Sequence, residues 1–367
     1  MKEKKYTCDI CHEEHDLSEL TYFDESYLCE DCLRRETFIC RDCGDRHWND
    51  DSADGDLCQT CYDEDYVRCE RCDAVIHYDD ACYHEDEEYH DHPYCRDCFD
   101  MDEIIHDYYY KPEPIFYGDG PRYLGVELEL DDGGENEFCA SKLLDIANAQ
   151  KERMYIKHDG SLDDGFECVT HPMTLDYHIN QMPWRAILNK AVAKGYLSHQ
   201  AGTCGLHVHI SRNALGANYE EQEATIAKIL YFYEKFWNEI LTFSRRTESQ
   251  AEHWARRYGG GIINPKETLK HAKNSHMGRY AAVNLENEAT IEMRIFRGTL
   301  KYNTFIATLQ MVDEICKVAI SLSDEFMQGL TWLDFVKGIA DGKQELINYL
   351  KEKRLYVNEP IRNEVEI

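Results

Sequence analysis

The sequence predicts two unlike parts in one chain: an array of small cysteine-rich repeats, followed by an α+β domain built on an antiparallel sheet. Three observations carry that expectation. Twelve of the 17 cysteines form six Cys-x-x-Cys pairs, all of them before residue 100. Beyond them, three distant segments, Tyr123–Asp131, Cys204–Ser211 and Thr290–Gly298, alternate charged or imidazole residues with apolar ones, the period of a strand. Segments of helical periodicity lie between them at irregular intervals, and no Gly-rich phosphate loop follows the first strand, which argues against a dinucleotide-binding fold.

At 367 residues the chain is long enough for two or three domains. Its formal charge of -31 is uneven, because residues 1–100 hold 31 acidic against 10 basic side chains. Such a surface repels a nucleic acid backbone and leaves two readings, solubility or a basic protein partner. No apolar run approaches the ~20 residues of a membrane span. The N-terminal "MKEKKYTCDI" has no apolar stretch that reads as a signal peptide, so the expected location is cytoplasmic.

The six pairs are Cys8 and Cys11, Cys29 and Cys32, Cys40 and Cys43, Cys58 and Cys61, Cys69 and Cys72, and Cys95 and Cys98. They combine into three repeats over residues 1–103, each a leading pair, an acidic and aromatic loop, and a trailing pair in "LCEDC", "LCQTC" or "YCRDC". Two cysteines two residues apart chelate one tetrahedral ion, and two such pairs close a structural Zn²⁺ site. A disulfide framework is the competing account and needs an oxidising compartment. One ion per repeat, about three in all, uses the twelve thiols locally. A cross-braced pairing of Cys29, Cys32, Cys40 and Cys43 remains open, because seven residues separate consecutive repeats. His15, His47 and His77 follow the leading pairs as ligands or, the preferred reading, as groups that pack beneath the knuckle or hydrogen-bond a thiolate. Cys82, His84, His90 and His92 lie in the longest loop, where an extra metal is conceivable. Each repeat is too poor in Leu, Ile and Val to stand alone, so metal must supply its folding free energy.

Residues 104–121 hold three of the eight prolines among many tyrosines and read as an ordered linker. A catalytic domain is expected over 122–325 and a helical extension over 326–367. Within the domain the first strand places Glu127 and Glu129 on one face and Val126, Leu128 and Leu130 on the other. Helices are expected over Glu137–Ala149, Trp184–Lys194, Glu220–Ser244, Asn303–Ser321 and Gln344–Lys353. Further strands are "RMYIKHDG" and "FECVTHP". In the later alternating strands His207 and His209 share one face, as do Glu292 and Arg294. An ordinary wet face would show Thr, Ser or Lys. This one shows carboxylates, imidazoles and a guanidinium, and such a face suits metal and phosphate.

The ordered motifs "GVELE", "HDGSLDDGFECVTHPM", "CGLHVHI", "RYAAVNL" and "TIEMRIFRGTL" resemble the amidoligase family, a branch of the glutamate-cysteine ligase and glutamine synthetase superfamily. The resemblance covers about residues 122–321. It implies a glutamine synthetase-like curved antiparallel sheet with flanking helices, binding ATP and divalent metal on its concave face. It further implies a carboxylate-amine ligase of the kind found in bacteria and their phages. Its substrates would be a carboxylate and an amine, with peptide, protein or cell-wall precursors proposed for the family.

The chemistry of the residues agrees. A carboxylate resists amines until a γ-phosphoryl group converts it to an acyl phosphate, a step that needs metal on the phosphates and cationic donors. Oxygen ligands suit Mg²⁺, and Glu127, Glu129, Glu167 and Glu292 are the candidates, at positions where the family pattern also has glutamates. One of His207 and His209 is expected to touch metal or phosphate, and the other to orient a carboxylate. Arg294 and Arg297 offer forked donors to phosphate or to the acid, with Arg279 a third. Asp159 is a weaker candidate for holding metal-bound water or accepting the amine's proton. Arg245 and Arg246 read as a helix cap, and Cys204 as a small buried residue rather than a nucleophile. Two other classes stay open: a zinc-array binding protein with an inactive ligase domain, and a metal-dependent phosphotransferase or hydrolase.

Overall fold

The first two cysteine repeats fold as a knuckle, a hairpin and a short helix, and the described residues of the third show a knuckle, a bridge between Cys82 and Tyr94, and a short helix. The computed structural model describes residues 5–83, 92–99, 104–259, 264–275 and 277–357, and the chain divides into two units, Met1–Asp102 and Glu103–Ile367. In the first unit the residue after each leading pair, His12, Gly44 or Asp73, has a left-handed backbone, with φ of 61°, 78° and 62°. That turn reverses the chain immediately behind the two thiols. The trailing pair starts where a strand ends. Cys29 and Cys58 stand at the N-caps of the helices Glu30–Glu36 and Gln59–Asp65, so Cys32 and Cys61 project from a first helical turn. Arg96–Phe99 does the same for Cys98. Among the described residues, the apolar side chains buried around the thiols are Leu28 and Leu57 in the first two repeats and Tyr94 in the third. His84 and His90 lie outside the described residues, while His92 stands 3.8 Å from Glu70.

The second unit is a mixed α/β structure around a seven-stranded sheet. Its strands are β1 (Ile105–His106), β2 (Leu124–Leu130), β3 (Met154–Lys157), β4 (Phe166–Thr170), β5 (Leu206–Ser211), β6 (Val283–Asn284) and β7 (Thr290–Met293). They lie in the order β1-β3-β4-β2-β5-β7-β6. The expected purely antiparallel sheet is corrected in one place: β1, from the stretch read as a linker, pairs in parallel with β3, Ile105 opposite Ile156. Parallel pairing needs a long crossover, and β2 with the helix after it supplies one. The other pairs are antiparallel.

Alternation sorts the sheet into two faces. Leu124, Val126, Leu128, Leu130, Phe166, Cys168, Leu206, Val208, Ile210, Ile291 and Met293 are buried in one core. Helices cover it: α1 (Glu137–Ala147), α2 (Leu175–Asn180), α3 (Trp184–Ala193), α4 (Tyr219–Lys235), α5 (Trp237–Ser244), α6 (Glu248–Trp254), α7 (Pro265–Asn274), α8 (Tyr302–Ser321), α9 (Asp324–Gly329), α10 (Trp332–Lys337) and α11 (Gln344–Glu352). Asn136 and Asn218 cap α1 and α4 by accepting the N–H of Cys139 and Glu221. The single helix expected over Glu220–Ser244 breaks at Phe236, whose ψ is 34°. Its ring packs on Phe232 and Trp332 there, and Arg245, with φ of 67°, ends α5 in the left-handed conformation. No helix among the described residues is long and apolar enough to cross a membrane.

α8 is buried almost all round, so its polar residues need partners. Asp313 meets Arg122 at 2.7 Å and Lys343 at 2.5 Å, and Glu314 meets Lys343 at 2.9 Å. Gln310 accepts the N–H of Leu346 at 2.8 Å. These bonds and the burial of Leu346, Tyr349 and Leu350 dock α11 onto the same core.

A second buried polar contact sets a pH limit. His178 is fully buried, its Nδ1 accepting Trp184 Nε1–H at 3.2 Å and its Nε2 donating to Leu124 O at 3.0 Å. Burial pushes this imidazole down to about 4 from 6.5. The unfolded chain therefore binds a proton over that interval that the folded chain does not, and stability falls as pH drops through it. The loss is about 1 kcal/mol by pH 5.5 and about 3 kcal/mol in full. Urea midpoints at pH 7.5 and 5.5 should show it. His178→Gln should have the shallower slope, and equal slopes would contradict the assignment.

Candidate functional site

The polar face of the sheet is assembled by strand register. Glu129 stands opposite Glu167 and Lys157 opposite Glu167; Glu127 stands opposite His207, and His209 opposite Glu292, which faces Asn284. Residues directly opposite one another project to the same side, so β3, β4, β2, β5, β7 and β6 line up one continuous row. The row floors a cavity of about 840 Å³ whose walls include Tyr108, Asp159, Ser161, Thr203, Arg246, Arg279 and Arg294. That volume lies in the upper range of small-molecule sites.

His207 sits at the centre. Its Nδ1 lies 3.4 Å from Glu127 and 3.5 Å from Glu292, and its Nε2 3.6 Å from Glu129. His209 Nε2 is 3.1 Å from the other oxygen of Glu127. Glu292 also accepts from Arg294 at 2.5 Å and from Asn284 at 2.8 Å. Glu129 accepts the backbone N–H of Gly205. A Cβ at Gly205 would stand 2.5 Å from His207 Nε2, so only glycine leaves room for the imidazole. At the far end Glu167 pairs with Lys157 at 3.0 Å.

Four carboxylates in one buried row repel each other's charge. Burial, reinforced by Glu127, pushes Glu167 well above the usual carboxylate range, and burial raises Glu129. Burial would raise Glu127 too, but His209 and His207 hold it well below that range. Glu127, His207 and Glu292 present ligand atoms within 4.8 Å of one another. Glu167 Oε2 and His209 Nε2 are buried without a well-aligned hydrogen bond. An oxygen-rich, charge-strained site with unaligned donors fits a divalent cation.

Among the residues expected at the site, Glu127, Glu129, Glu167, His207, His209, Glu292, Arg294 and Arg279 all line the cavity. Arg279 also bonds the hydroxyls of Tyr108 and Tyr280. Arg297 is not among the lining residues; three residues beyond Arg294 and past the end of β7, its guanidinium donates to His199 O. Arg245 caps α5, whereas Arg246 is buried in the cavity wall and donates to Ile295 O at 3.1 Å. Cys204 is buried and its thiol is pushed up to about 12, chiefly by burial, which is no state for a nucleophile. Lys157 and Asn284 were missed. Lys157 carried the same signal as the glutamates, one charge alternating with Met154 and Ile156.

In the first unit the thiols gather as Cys8, Cys11, Cys29 and Cys32; Cys40, Cys43, Cys58 and Cys61; and Cys69, Cys72, Cys95 and Cys98. This is one cluster per repeat, and the cross-braced grouping is not formed. Cys29 N–H and Cys58 N–H point at Cys8 and Cys40, each at 3.4 Å. Burial raises these two thiols, but backbone N–H groups outweigh it and bring both down to about 6. In contrast, burial and its neighbours push Cys32 up to about 12. Tetrahedral sets of four thiols suit Zn²⁺. His47 Nε2 lies 3.6 Å from Cys43 Sγ, within reach of the sulfur, and His15 groups with Cys11 and Glu13. His77 instead accepts the N–H of Asp79 at 3.2 Å.

The carboxylate row with arginine at one end lines a cavity of small-molecule size, and comparison with known families supports a ligase-type function. Residues 143–316, just under half of the chain, match the family described as "putative amidoligase enzyme". No curated protein matches. Among solved structures, a bifunctional glutathione synthetase from Pasteurella multocida is similar at 13% identity and a TM-score of 0.34, over 65% of this chain and 45% of that one. The chain thus spans less than half of that structure's length, and a likeness this weak carries no argument.

Proposed function

We propose that the second unit is an ATP-dependent carboxylate-amine ligase, forming an amide through an acyl phosphate on a sheet of the glutamine synthetase-like kind. The observation that carries this reading is the row of half-buried Glu127 and buried Glu129, Glu167 and Glu292 beside Arg294 in one cavity. Mg²⁺ held there would neutralise the polyphosphate and draw the γ-phosphoryl group toward the acid. Glu127 and Glu292, which already share His207, would be its inner ligands, with Glu129 and Glu167 completing the oxygen set. Arg294, fixed by Glu292, turns its remaining donors toward the anionic group in transfer. Arg279 at the mouth, between two tyrosine hydroxyls, would meet phosphate or the carboxylate of the acid. Helix-backed strands keep these groups from relaxing.

The first unit would hold three structural Zn²⁺ ions, a state that suits a reducing, cytoplasmic setting. Its acidic surface would bring a basic protein, peptide or cell-wall precursor substrate to the enzyme by charge.

The test is turnover of ATP with Mg²⁺ against pooled amino acids, polyamines and peptides, with hydroxylamine as a trap. ADP together with hydroxamate or amide is the expected result. ADP without either product would indicate a phosphotransferase or hydrolase, and ATP binding without any turnover an inactive binding protein.

A further inference from the structure

We propose that His158, oriented by Glu135, is the base that takes a proton from the incoming amine; this rests on the ligase reading of the cavity and adds a catalytic residue to it. A primary amine arrives at neutral pH as an ammonium ion, which has no lone pair to attack with. Some group in the wall must remove a proton. The carboxylates of the row are engaged by His207, His209, Gly205, Lys157 and Arg294, as described above. Asp159 is held in its own turn, its Oδ1 accepting both the N–H of Ser161 at 2.7 Å and the Ser161 hydroxyl at 2.6 Å. His209 has Glu127 on Nε2 and Thr290 on Nδ1, at 3.1 and 3.2 Å.

His158 is the remaining imidazole among the lining residues. Its backbone is anchored by donation to His106 O at 2.8 Å. Its Nδ1 lies 2.8 Å from Glu135 Oε1, the carboxylate-imidazole arrangement that fixes the tautomer. With Nδ1–H donated to Glu135, Nε2 is left with its lone pair. That atom lies 3.8 Å from where a Cβ on Gly160 would stand, and Gly160 is itself part of the cavity wall. The imidazole is 35% exposed, so a proton it gains can pass to solvent.

The step balances as follows. The ammonium gives one proton to His158 Nε2, and its freed nitrogen pair attacks the acyl carbon. The C–N bond forms as the bond from carbon to the phosphate oxygen breaks, the phosphate leaving with that electron pair and taking the second proton from nitrogen. An amide, hydrogen phosphate and a protonated His158 result. Glu135 acts through His158 and is a positioning residue.

The nucleophile separates this role from a structural one. Hydroxylamine is largely unprotonated at neutral pH and needs no base to free its lone pair, whereas an alkylamine does. With the acid that responds to the pooled assay, the ratio of amide to hydroxamate should fall ~100-fold or more in His158→Asn, the range of general-base catalysis. It should fall ~10-fold in Glu135→Gln, whose amide still accepts from Nδ1–H. A ratio unchanged in His158→Asn, or both products lost in parallel, would overturn the role of His158 while leaving the ligase reading in place. Wild-type protein that makes no hydroxamate would remove that reading, and the base with it.

Discussion

Glu292→Gln is expected to abolish magnesium-dependent ATP turnover, by at least ~100-fold, the scale of losing a metal-ligand interaction, with the fold intact. The reasoning is local. Glu292 is 3% exposed, one oxygen meets Arg294 at 2.5 Å and the other accepts Asn284 at 2.8 Å. The glutamine has the same shape but one of its two faces becomes a donor, so it opposes either Arg294 or Asn284 and leaves the site one negative charge short. The guanidinium that Glu292 pins is then free to turn toward Glu127 or Glu129, which already feel its charge. Steady-state ADP release and a thermal melt on the same preparation check both halves of the expectation. Retained turnover in a folded variant would remove Glu292 from the site.

The second large effect is on the first unit. Protein purified without added metal should contain close to three zinc per chain, and a strong chelator should unfold the first unit while the second keeps its own cooperative transition. The repeats bury Leu28, Leu57 and Tyr94 besides their cysteines, and such a core cannot offset the chain entropy. Zinc binding in comparable small modules supplies about 10–16 kcal/mol of folding free energy. Metal analysis, followed by limited proteolysis with and without chelator, reads this directly. A zinc content near zero with disulfides in place of thiols would contradict it.

Much of this architecture was readable before any coordinates, for physical reasons that also mark the limits. A strand's period of two is short enough that Glu127/Glu129, His207/His209 and Glu292/Arg294 each declare a face within four residues. The Cys-x-x-Cys spacing fixes a chelate ring and so declares itself even in a loop. β1 could not be read, because two residues between aromatic and proline-rich neighbours have no period to detect. Phe236 interrupts α4 and α5 with no Gly or Pro, through packing on Trp332 that lies about a hundred residues away. Arg297 shares a motif and a side-chain type with Arg294, but the strand ends at Met293 and the two stand three residues apart, so neither register nor spacing holds them on one face. Lys157 and His158 were overlooked for the opposite reason. The strand that carries Lys157 and ends just before His158 was recognised, but the two side chains take their meaning from Glu167 and Glu135, partners supplied by sheet register and by the loop before α1.

If a carboxylate attacks the γ-phosphorus of ATP before an amine displaces the phosphate, isotope transfer reads that step directly. The acid identified by the pooled assay is labelled with ¹⁸O in its carboxyl group and turned over with Mg²⁺, ATP and the amine. One labelled oxygen is expected in each phosphate released, carried there by the acyl phosphate. Unlabelled phosphate formed alongside amide would contradict it.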